Sequence, residues 1–317
     1  MAFPYEPFDL SGIKTYPLKS RPSKAKVDDF ARPLGPKATV AELLDAMPSM
    51  LAARDLGLVA AAIARARRAS GSLWGIGAHV IKTGLGPVLI DLMERGFVSA
   101  IATNGAAVIH DFEIALVGAT SEDVDHTLGP GTFGMAEETG RLLNDAINRG
   151  VAAGLGMGQS VARFLADREP QFARMSVFAA AARLAIPVTT HVAIGTDIIH
   201  MHPAASGAAL GEGSLRDFRY FVSNVARLGD GVYVNCGSAV VLPEVFLKAV
   251  ALARNRGIPL EGLTTVDLDF IRSYRPQTNV VARPTAGSGR GFSLVGHHEI
   301  MIPLLAAAIV DADSRLG

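Results

Sequence analysis

Residues 72–104 read SLWGIGAHVIKTGLGPVLIDLMERGFVSAIATN. An apolar run is followed by a turn bearing Gly84, Gly86 and Pro87, then by an amphipathic stretch through Met93 and a second apolar run ending at Asn104. Strand, helix, strand is the reading these periodicities support. A βαβ unit of this length implies parallel strands in a sheet covered on both faces, with ligands beyond the carboxyl ends of the strands.

Outward from this unit the pattern repeats. Thr39-Val40-Ala41-Glu42 fits a capping box ahead of Leu43, Leu44, Met47 and Leu51, so a helical pair is expected over 39–69. Residues 132–185 read as mostly helical and Ala-rich. Three further apolar runs, IPVTTHVAI, GVYVNCG and LTTVDLD, alternate with helical segments such as LPEVFLKAVALARNRG, and HHEIMIPLLAAAIVDADSRL closes the chain as a helix. The fold class expected is doubly wound α/β, a mostly parallel Rossmann-like sheet with helices on both faces. Residues 1–37, rich in Pro and Lys, read as an extended arm, and 38–317 as a single domain.

Composition narrows the function classes. Thirty basic residues balance thirty acidic ones in 317 residues, and the basic ones gather on no helix face, so neither nucleic acid nor an anionic membrane is an expected partner. The start, MAFPYEPFDL, lacks the parts of a secretory signal, and no uncharged run approaches a membrane span, so a cytoplasmic location is expected. The one cysteine, Cys236, excludes an internal disulfide and reads as a small buried hydrophobe.

Polar clusters fall where strands should end: Lys82-Thr83; Thr103-Asn104 with His110, Asp111 and Glu113; Glu212 through Asp217; Asp267 and Asp269; and His297-His298-Glu299. GLGMGQS at 154–160 only loosely approaches a dinucleotide fingerprint. In HVAIGTDIIHMHP, His200 and His202 would share one face of a strand, with His191 and Asp197 upstream, which keeps a metal-dependent hydrolase open as an alternative.

Residues 79–116 resemble, without a gap, the first nucleotide-binding segment of the deoxyhypusine synthase family. There a Thr-Thr-Ala-Gly-Gly loop precedes two glutamates and an aspartate; here the string is Thr103-Asn104-Gly105-Ala106-Ala107, then Ile109-His110-Asp111. GEGSLRDFRYF at 211–221 is similar to that family's T-D-G-S-L-G-D-x-x-x-F signature, NCGSAVV at 235–241 to its Gly-Gly-Gly turn, and HHEIMIPLL at 297–305 to its closing segment. The resemblance implies a homotetramer that binds NAD. Thr103, Asn104, Gly105, Ala106, Glu212, Gly237, Ser238, His297 and His298 would hold the cofactor. Asp111, Asp217 and Arg275 would hold the substrate, Lys82 or Arg275 its carboxylate if it has one. His110, Asp217 and Lys82 form the expected catalytic set.

The departures redirect the chemistry. Only Lys82 and Lys248 follow Lys37, and neither lies where the family has its catalytic lysine; Leu242 and Pro243 replace a histidine pair, and His110 replaces a glutamate. Deoxyhypusine synthesis is therefore not expected. Residues 104–111 also resemble a loop in NAD-dependent ornithine cyclodeaminase domains. The function expected is hydride abstraction from an amine or amino acid through an imine, with His110 as acid or base. A non-catalytic NAD sensor or scaffold is the remaining alternative.

Overall fold

The computed structural model describes residues 3–316. The segment up to Lys37 is exposed almost throughout and carries two short 3₁₀ turns, Leu18–Ser20 and Val27–Asp29. Its end is tied down by the Arg32 N–H donating to the Ala46 carbonyl at 2.9 Å.

Regular structure then runs α1 (Val40–Ala46), α2 (Leu51–Ala66), β1 (Ser72–Ile76), α3 (Ala78–Lys82), α4 (Gly86–Glu94), β2 (Ala100–Asn104) and α5 (Gly105–Val117). It continues with α6 (Val124–Thr127), α7 (Glu137–Ala152), α8 (Met157–Arg168), α9 (Val177–Arg183), β3 (Val188–His191), α10 (Gly207–Val225), β4 (Val232–Cys236) and α11 (Val241–Asn255). The last elements are β5 (Thr264–Asp269), α12 (Tyr274–Pro276) leading into a wide π turn (Gln277–Ala282), β6 (Arg290–Val295) and α13 (His298–Ser314). The expected capping box is present: the Thr39 hydroxyl accepts from the Glu42 N–H at 3.2 Å, and the Glu42 carboxylate accepts from the Thr39 N–H at 2.6 Å.

All strand pairs are parallel, in the order β3-β2-β1-β4-β5-β6. This is the doubly wound α/β fold expected from the sequence. Side chains alternate between the two faces. Trp74, Ile76, Ile101, Val234, Val266 and Leu268 enter one apolar layer, together with Phe112 of α5, Ile63 of α2 and Ile309 of α13. Leu73, Ala100, Ala102 and Tyr233 enter the other, under Phe221 of α10 and Phe246 of α11, where the Tyr233 and Phe246 rings stack at 3.7 Å. Among the described residues no helix is long and apolar enough to cross a membrane.

β6 was not expected. Its sequence RGFSLV is flanked by glycines and has a single fully buried residue, Leu294, as suits an edge strand, so it lacks the apolar run that reveals the buried strands. Edge strand β3 is protected differently. The Thr190 N–H donates at 2.8 Å to the buried Asp217 carboxylate of α10, as does the Gly158 N–H in the first turn of α8.

Candidate functional site

The order of strands reverses between β1 and β4, where a doubly wound sheet opens its crevice. Gly77 follows β1, and Gly237-Ser238 follow β4. The Gly77 N–H donates to the Cys236 carbonyl at 2.8 Å, and a β carbon at Gly77 would collide with the Gly237 carbonyl. Beside this pair lies His298, whose ring a β carbon at Gly237 would meet at 3.1 Å. Its Nε2 is 3.3 Å from the Leu268 carbonyl and 3.7 Å from Asp269, while Nδ1 is buried without a partner. His79 of α3 is exposed and sits 5.6 Å from the His298 ring and 6.4 Å from Phe270.

One turn further along α3, Lys82 lines a second space, a cavity of about 400 Å³ bounded by α5 and by segments 121–136 and 196–198. Residues three apart share a helix face, so α3 presents His79 to the crevice and Lys82 to the cavity along one side. His110 and Glu113, one turn apart on α5, line the same cavity with Glu122 and Asp197. His110 Nδ1 is 2.7 Å from the Thr120 hydroxyl, which donates to Glu113 at 2.6 Å; Thr139 of α7 donates to the other Glu113 oxygen at 2.9 Å. Burial lowers the His110 pKa, Lys82 lowers it further and Glu113 opposes them, so the imidazole is neutral near pH 7.

Asp197 closes the cavity over the first turn of α5. A β carbon at Gly105 would collide with its carboxylate. Its Oδ2 is buried with no hydrogen-bond partner and lies 4.0 Å from His200 Nε2, itself unpartnered. Burial raises the Asp197 pKa and His200 opposes this. His200 Nδ1 accepts from the Gly195 N–H at 3.1 Å.

This geometry corrects several expectations. Gly105 and Ala106 are the first turn of α5, capped by Asn104 Oδ1 accepting from the Ala107 N–H at 3.0 Å. The small residue at 105 makes room for Asp197. Thr103 is buried against Thr190. Asp111 faces away from the cavity: it accepts from Ser176 and from the Val177 and Phe178 N–H groups, capping α9. Glu212 and Asp217 were expected at a strand end, yet both lie on α10. Glu212 is exposed and paired with Arg216 at 2.7 Å, whereas Asp217 holds α8 and β3. Arg275 pairs with Glu244 at 3.4 Å, and His297 is exposed.

The histidine-rich stretch is a 3₁₀ turn, Ile198–Met201, and not a strand. His191 bonds Thr189 at 3.1 Å and packs edge-on against Phe221; His202 reaches Glu137 at 3.4 Å. Among the described residues no three such side chains converge on a metal position. Lys82 and His110 thus come together as expected, and Gly237, Ser238 and His298 gather at the crevice. Sequence reasoning missed Thr120, and did not place Asp197 or His79 at the site. Asp197 is 87 positions from His110, and only the pairing of β2 with β3 brings them together.

No family model matches the chain, and no curated protein matches it in sequence. Among solved structures, a LOR/SDH protein from Methanococcus maripaludis aligns over 84% of this chain and 71% of its own, at a TM-score of 0.54 and 16% identity. The ternary complex of AgrE with ornithine and NAD+ aligns over 83% of this chain at a TM-score of 0.53 and 16% identity. The chain shares their fold. It spans 34% of AgrE. A deoxyhypusine synthase-like protein from Entamoeba histolytica also aligns, over 86% of this chain and 94% of its own, at a TM-score of 0.48 and 12% identity. The doubly wound α/β fold expected from the sequence is thus shared with these solved structures.

Proposed function

We propose that the chain is an NAD-dependent enzyme that oxidises an amino acid or amine at its amine-bearing carbon. The observation that carries this is one cavity lined by an unpaired cation, a carboxylate residue and a neutral imidazole: Lys82, Asp197 and His110. Among the described residues Lys82 makes no ion pair. Lys82 suits a substrate carboxylate, and Asp197 suits an ammonium.

The crevice beside the cavity fits the cofactor. It offers the unpartnered Nδ1 of His298, and the Asp269 carboxylate at the end of β5 as acceptor for a ribose hydroxyl. Ser238, whose hydroxyl caps α11 by accepting from the Leu242 N–H at 3.2 Å, stands at the same strand end. The likeness to AgrE, solved with ornithine and NAD+, supports both halves of the reading.

Bound NAD would supply the hydride acceptor. The chain's part begins with His110 Nε2 taking a proton from the substrate ammonium, which leaves a neutral amine. Loss of hydride from the adjoining carbon to the bound cofactor, the chemistry that group would supply, would let the nitrogen lone pair close the C=N bond and give an iminium open to attack by water or an amine. Asp197 and Lys82 orient the substrate, and Asp197 favours the positive iminium nitrogen.

Exposed apolar residues lie on one side of the crevice: Val240, Phe270, Ile271, Tyr274, Val295 and Ile300 stand at or after the carboxyl ends of β4, β5 and β6. Together with the exposed apolar residues of the arm they support a homo-oligomer in which another copy covers the site. The cofactor placement is tested by calorimetric titration with NAD. His79→Glu puts a negative charge at an exposed crevice position, so it should fold normally and lose NAD binding. Unchanged affinity in a folded His79→Glu variant contradicts the placement.

A further inference from the structure

We infer that Thr120 and Glu113 form a relay that locks His110 in the Nδ1–H tautomer, making them positioning residues for its Nε2 lone pair. The argument is one of donors and acceptors. An ionised Glu113 carboxylate only accepts, so the Thr120 hydroxyl spends its one hydrogen on Glu113 Oε2 at 2.6 Å. Thr120 Oγ1 can then only accept at its 2.7 Å contact with His110, and the hydrogen in that contact belongs to Nδ1. Nε2 is left with its lone pair, and no described residue hydrogen-bonds it.

The fold fixes the relay from three elements. His110 and Glu113 lie one turn apart on α5. Gly118 ends that helix in the left-handed region (φ 71°) with the Phe172 ring packed where a side chain would stand, which turns the chain back and returns Thr120 over the last turns. Thr139, buried on α7, holds the second Glu113 oxygen at 2.9 Å, so the carboxylate cannot rotate away from Thr120. Four groups with charge face His110: Lys82 from α3, Glu113 from α5, Glu122 from the segment after α5, and Asp197 from the segment after β3. Only Glu113 reaches the ring through a hydroxyl. When Nε2 takes a proton, Nδ1–H keeps its acceptor and no proton has to cross the relay.

The tautomer follows from the geometry alone; its catalytic use rests on the proposed function. The test is a long-range ¹H–¹⁵N spectrum of the full chain labelled at histidine nitrogens, above the His110 pKa, with the His110→Gln spectrum identifying its signals. Free imidazole favours Nε2–H, so Nδ1–H at His110 marks an imposed tautomer. The parent should show Nδ1–H, Thr120→Ser should keep it, and Thr120→Val should lose it. Nε2–H in the parent, Nδ1–H retained in Thr120→Val, or Nδ1–H lost in Thr120→Ser each overturns the relay. If the valine variant does not fold, the parent and serine spectra still decide. A parent in the Nδ1–H form that neither binds NAD nor oxidises any amine would leave the relay standing and refute the proposed function.

Discussion

Gly105 and Asp197 occupy one another's space: the α5 backbone at Gly105 lies so close to the Asp197 carboxylate that no β carbon fits between them. The contact seats the Asp197 carboxylate, whose Oδ2 has no hydrogen-bond partner, at the positive end of a helix, and Asp197 lines the cavity. Gly105→Ala should destabilise the protein by about 1–3 kcal/mol in denaturant unfolding, because the carboxylate or the helix must shift. Most of that loss should vanish in an Asp197→Ala background, which removes the colliding group. Equal losses in both backgrounds contradict the contact.

His191 and Asp217 should give opposite pH signatures in stability. Burial drives the His191 pKa from 6.5 to about 3, so its contribution is present above 6.5 and is lost as pH falls toward 3. His191→Gln should therefore gain on the parent by up to about 1.4 kcal/mol per pH unit as pH drops below about 6.5. Burial raises Asp217 from 3.8 to about 7, outweighing the Gly158 and Thr190 N–H donors. Its contribution is present below 3.8 and is lost as pH rises through about 7, so Asp217→Asn should gain on the parent as pH rises. Urea unfolding across this range checks both, and slopes of the same sign contradict the assignment.

Lys82 should act on substrate and base together. Its charge lowers the His110 pKa, so Lys82→Met should raise it and move the acid limb of a pH–rate profile to higher pH. The same variant should raise KM roughly tenfold or more for a carboxylate-bearing substrate, the loss of one charged hydrogen bond. A simple amine should show the pH shift without the KM change.

Legibility in the sequence followed burial. β1, α4 and β2 were readable because both faces of the strands are covered, leaving unbroken apolar runs between a glycine-proline turn and Asn104. β6, exposed on much of its length, left no such trace. Residues 212–217 were expected at a strand end, yet they lie within α10, where Gly213 is buried against Val151 and Met157. His110 and Lys82 were found because strand ends gather polar side chains. Thr120 was invisible because its role depends on the chain reversing at Gly118; Asp197 was named only as a possible metal ligand, because its place beside His110 depends on strand order.

The central claim is hydride removal from an amine-bearing carbon, and single-turnover absorbance of reduced nicotinamide measures it directly. Parent protein mixed with NAD and a panel of amino acids and diamines should form reduced cofactor with at least one of them, and His110→Gln should bind NAD normally but react on the order of a hundredfold more slowly. Bound NAD that stays oxidised with every amine, or a His110→Gln variant with the parent's full rate, would contradict the account.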